Sequence, residues 1–71
     1  MANSSESLTV NGKEYPHTEG MTVASLLAEV HDGAGMVVVE VNAEILPRER
    51  FAQTVLNPGD SVEIVHFVGG G

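Results

Sequence analysis

The chain contains no cysteine, which excludes disulfides, thiolate metal sites and thiol nucleophiles together. Strong cations are nearly as scarce. Lys13, Arg48 and Arg50 stand against ten Asp and Glu residues, leaving a formal net charge of −7. No basic stripe is available to neutralise phosphates or to settle on an anionic bilayer, so neither nucleic acid nor a membrane is an expected partner. The acidic balance suits plain solubility or a partner with a basic docking face, because long-range attraction raises encounter rates. Met1 to Ser7 has neither the cationic start nor the apolar stretch of a secretory leader, and no run approaches bilayer-spanning length. The cytoplasm is the expected compartment.

Nor is there a constellation for catalysis. His17, His31 and His66 lack close metal-ligand spacing and read as ordinary polar histidines, so no metal site is expected. Asp32 beside His31 has no candidate nucleophile with it, and no phosphate-cradling loop is present, so the chain is not expected to be an enzyme. Repeats, low-complexity tracts and internal linkers are also missing. What remains is 71 residues, 42% of them hydrophobic. That is enough for one domain, residues 1–71, with a modest core and with residues 1–6 expected to fray.

Local chemistry places the elements. Leu8-Thr9-Val10 alternates and runs into Asn11-Gly12, which supplies the positive φ angles of a two-residue hairpin turn, with Lys13-Glu14-Tyr15 returning until Pro16. Thr22 is placed as an N-cap, and Val23, Leu26, Leu27 and Val30 follow at the spacing of one buried helical face. The loop from His31 to Gly35 ends that helix, its glycines being suited to a left-handed cap. Met36 to Val41 reads as a central strand with Val37, Val39 and Val41 towards the helix. A turn near Asn42-Ala43-Glu44 returns through Ile45-Leu46, and Pro47 opens a short helical turn over Arg48 to Ala52. Asn57-Pro58-Gly59-Asp60 fits a type II turn. The last strand is Ser61 to Val68, with Val62 and Ile64 on one face and Glu63, Val65 and Phe67 on the other. This order predicts an α+β fold, a sheet of four to five strands with one main helix across one face.

Gly69-Gly70-Gly71 closes the sequence. Glycine is about 7% of average sequence, so three in a row at a given place arise by chance about three times in ten thousand. A frayed end would tolerate them. The alternative is a thread without side chains that lets a second protein work on the terminal carboxylate. At about 3.3–3.6 Å per extended residue, Val68 to Gly71 reaches roughly 13 Å from the last strand. A carboxylate is a poor electrophile, so nucleotide activation followed by attack of a donor sulfur is the sensible route, and the product is a thiocarboxylate.

Val41-Asn42 with Ile45-Leu46-Pro47-Arg48, then Leu56-Asn57-Pro58-Gly59-Asp60, then Val62-Glu63-Ile64-Val65 leading to the glycines, resemble the thiamin-biosynthesis sulfur carriers called ThiS. Met21-Thr22-Val23 with Leu26-Leu27 matches the same family, and the likeness covers most of the chain from about Val23 onward; residues 1–7 depart from it. The resemblance implies a β-grasp (ubiquitin-like) fold with a mixed sheet and a flexible glycine tail. It implies adenylation of Gly71 with ATP by a ThiF-type enzyme related to the ubiquitin activators, sulfur supplied by a donor such as a cysteine desulfurase, and delivery to a ThiG-type thiazole synthase. On that likeness no cofactor is bound by the chain itself, Gly69 and Gly70 enter the partner's active site, and the free carrier is a monomer. Val38, Glu40, Val65 and Phe67, on the sheet face away from the helix, are the candidate docking face. Rival readings are the small subunit of molybdopterin synthase, a carrier for another sulfur-containing metabolite, a ubiquitin-like modifier and a plain interaction module.

Overall fold

Two tight hairpins frame the sheet, and both turn on asparagine. Residues 6–31 and 36–67 are described by the structure, a computed structural model. Strand β1, Ser7–Val10, returns as β2, Lys13–Pro16, through Asn11 and Gly12 at φ 52 and 81°. These are the paired positive angles that match the twist of the flanking strands. Strand β3, Met36–Val41, returns as β4, Glu44–Leu46, through Asn42 and Ala43 at φ 51 and 72°. Each asparagine also reaches β5, Ser61–Phe67: Asn11 Oδ1 accepts from the Ile64 N–H at 2.7 Å and Asn42 Oδ1 from the Ser61 N–H at 2.9 Å.

The strand order is β2-β1-β5-β3-β4. β5 lies at the centre, antiparallel to β3 from Met36↔Phe67 to Val41↔Val62, and parallel to β1 at Thr9↔Ser61 and Val10↔Val62. A mixed five-stranded sheet with one helix across it is the β-grasp arrangement that the resemblance implies. The expected alternation holds. Val39 and Val62 are fully buried on the helix side, with Val37, Val41 and Ile64 packed beside them.

Helix α1, Val23–Val30, begins at Thr22 as expected. Thr22 Oγ1 accepts from the Ser25 N–H at 3.1 Å, and Ser25 Oγ accepts from the Thr22 N–H at 2.9 Å, a capping box with serine where Glu or Gln is usual. Two more helix-start N–H groups find partners in the segment after the 3₁₀ turn η1, Arg48–Arg50: Val23 donates to the Thr54 carbonyl and Ala24 to that of Phe51. This segment therefore closes the helix start onto the core, where Leu56 and Met21 join Leu8, Val10, Val23 and Leu26.

One core expectation is corrected. Val30 is 41% exposed, although its spacing places it on the helix stripe. It is the last residue of an eight-residue helix and lines an open cleft with His31 and His66, beyond the packed centre of the sheet. The helix ends on His31 in extended conformation, φ −136°, whose N–H donates to the Leu27 carbonyl. The left-handed glycine cap expected in that loop, at Gly33 or Gly35, lies outside the described residues. Gly59 takes φ 88° in its turn, and the Asp60 N–H closes it onto the Asn57 carbonyl, as the Pro-Gly pair demands.

Candidate functional site

The sheet has two faces but only one is covered by the helix. On the other, the register sets Val38 opposite Val65, Met36 opposite Phe67 and Glu40 opposite Glu63, with Ile45 of β4 beside Glu40. The four residues expected to form a docking face, Val38, Glu40, Val65 and Phe67, therefore do lie together. Two of the three apolar members are open, Phe67 at 51% and Val65 at 45% exposed, while Val38 is half-buried. Met36 at 61% and Ile45 at 70% enlarge the patch. These two were missed in the sequence reading, although period-two alternation from Val38 and from Leu46 was the signal that could have found them.

Phe67 is the last residue of β5, and Val68, Gly69, Gly70 and Gly71 follow it in the sequence. Gly69, Gly70 and Gly71, the expected tail and modification site, lie outside the described residues. A contiguous apolar area beside the start of a side-chain-free thread is an arrangement that lets a partner grip the domain while working on the terminus.

Two polar side chains elsewhere have structural explanations, whereas the buried Nε2 of His31 has no hydrogen-bond partner among the described residues. Because a carbonyl can only accept, His17 Nε2 donates to the Leu56 carbonyl at 2.7 Å and ties the end of β2 to the segment before β5. The Tyr15 hydroxyl donates to Glu29 Oε1, joining β2 to the helix; this bond, then burial, then the Glu29 charge raise the phenol's pKa above its ordinary value of 10.0. His31 and His66 meet edge to face with ring centroids 4.7 Å apart, a contact between residues far apart in sequence and invisible to a spacing argument. Among the described residues no group of three or more His, Asp or Glu side chains could hold a metal ion, and no helix is long and apolar enough to cross a membrane.

Residues 6–71 match the ThiS family model. The chain is 42% identical over 65 residues to the sulfur carrier protein ThiS of Bacillus subtilis, covering 90% of this chain and 98% of that one. It is 45% identical over 64 residues to a thiazole synthase of Paramagnetospirillum magneticum, covering 90% of this chain but spanning only 20% of that protein. Among solved structures, the crystal structure of the thiamine biosynthesis protein ThiS from Geobacter metallireducens superposes with a TM-score of 0.70 at 41% identity, over 92% of this chain and 99% of that one.

Proposed function

The chain belongs to the ThiS family, and from that premise we propose that it carries sulfur on the carboxylate of Gly71 for thiazole formation in thiamin biosynthesis. It acts as a protein cosubstrate and not as a catalyst. The observation that carries this reading is the triple glycine that follows Phe67 and Val68 in the sequence, in a chain matched by the family from residue 6 to 71.

The chemistry follows from the poor reactivity of a carboxylate. An activating enzyme of the ThiF type binds ATP, and a Gly71 oxygen attacks the α-phosphorus, expelling pyrophosphate and leaving an acyl adenylate. A donor sulfur then attacks the acyl carbon and AMP departs. Where that sulfur arrives as a persulfide from a cysteine desulfurase, a thiol supplies the two electrons that split the S–S bond and release the thiocarboxylate. Gly69 and Gly70 let this carbon enter a closed site without side-chain clashes. Val38, Glu40, Val65 and Phe67 hold the domain on its partner meanwhile, which turns a bimolecular encounter into a positioned reaction.

Delivery to a ThiG-type thiazole synthase is supported by the Paramagnetospirillum protein of that name, in which a segment similar to this chain forms one fifth of a single polypeptide. A segment like this chain joined to a protein of that name is expected to meet it by docking when the two are separate. We take the reaction to run in the cytoplasm, where ATP is available to the activating enzyme. The test is intact-mass measurement after incubation with ATP, the activating enzyme and a sulfur donor. A gain equal to one oxygen-for-sulfur exchange is expected; an unchanged mass, where the Bacillus subtilis carrier is converted, overturns the proposal.

A further inference from the structure

We propose that the uncovered sheet face recognises the activating enzyme through a cationic side chain, a guanidinium by preference, seated between Glu40 and Glu63 inside the apolar patch. The inference rests on the docking reading above and adds the chemistry that the partner must bring.

Glu40 and Glu63 are direct cross-strand partners in the β3–β5 ladder and point to the same face. Like charges placed directly opposite one another weaken a sheet, so the pair is a cost to the free domain. Among the described strand residues, none on that face offsets it. Lys13 pairs with Val10 and His66 with Val37, which puts both on the helix side, while Arg48 and Arg50 sit in η1. Across the described strands the uncovered face carries Glu14, Glu40 and Glu63 and no lysine, arginine or histidine.

The surroundings decide what the partner looks like. Val38 and Val65 stand next along the two strands, Ile45 stands beside Glu40, and Met36 and Phe67 complete the apolar area. A partner surface that covers these side chains also removes water from the two carboxylates, and an unpaired carboxylate is costly to desolvate. A partner that delivers a positive group to that spot offsets the penalty most fully, since it answers both the lost hydration and the mutual repulsion. A guanidinium suits it because its planar fork can serve two carboxylates and it sheds water more readily than an ammonium. The net charge of −7 then steers the same partner from a distance.

The experiment measures affinity of the full-length carrier for the activating enzyme by calorimetry, with thermal unfolding of each free variant alongside. Glu40→Gln with Glu63→Gln should unfold no earlier than the native chain while binding falls by about ten-fold or more. Glu14→Gln, on the same face but on the edge strand β2, should change binding less than about two-fold. Phe67→Ser separates the two readings. If Phe67→Ser weakens binding and the double glutamine variant does not, the cation seat is wrong and the docking face stands. If neither weakens it, both fall. An equal loss in Glu14→Gln reduces the effect to general steering and also overturns the seat. Should the double variant unfold early, Glu63→Gln alone gives the same readout.

Discussion

The two faces of this sheet are written in nearly the same residues. Valines 39 and 62 look towards the helix and are fully buried, whereas Val65, on the same strand as Val62, is 45% exposed. The difference is the second layer: one face has a helix over it, and over the other the described residues place none. Hydropathy along a strand therefore does not by itself tell the face that packs under the helix from the face that stays open.

The sharpest way to test that contrast is to cut one side chain on each face. Leu26→Ala, under the helix, should cost about 2–5 kcal/mol, a large part of the margin that holds so small a domain. Chemical denaturation should then show a greatly lowered midpoint or no folded baseline. Phe67→Ser, on the open face, should shift stability by no more than about 0.5 kcal/mol but weaken the activating enzyme's grip by about 2 kcal/mol, some thirty-fold. Equal effects on stability from the two substitutions would erase the distinction between core and docking face.

A smaller effect tests the edge of the buried face. Tyr15 has a raised pKa when folded because its phenol donates to Glu29. A raised folded value means that the contribution is fully present below the unfolded pKa of about 10 and is lost as pH rises through the folded one. Unfolding temperature should therefore decline above that pH in the native chain, and Tyr15→Phe should flatten this part of the profile. A pH scan of thermal unfolding checks it.

What could be read from the sequence was what is decided locally. Asn11-Gly12 and Pro58-Gly59 dictate their turns, Thr22 its cap, and alternation the two faces of β3 and β5. The strand order is not local: the parallel contact of β1 with β5 joins the first strand to the last, and the β-grasp expectation came from family likeness. Core roles for Met21 and Leu56 escaped for a similar reason, since both sit in irregular segments without period and are buried only because residues 51–56 fold back on the helix start. Spacing gave Val30 a place in the core that the short helix could not honour. The docking patch was half legible, because two of its apolar members, Met36 and Ile45, lie where strands start or run short.

The position of β5 has a mechanical consequence. On the proposed function, a partner that pulls on the residues beyond Phe67 loads a strand paired with β3 from Val62 to Phe67 and with β1 at its start, and tied by Asn42 at Ser61 and by Asn11 at Ile64. Such a load is shared in shear by many hydrogen bonds at once and is not taken by one bond at a time as in unzipping. The domain can thus act as an anchor against which the thread is stretched taut.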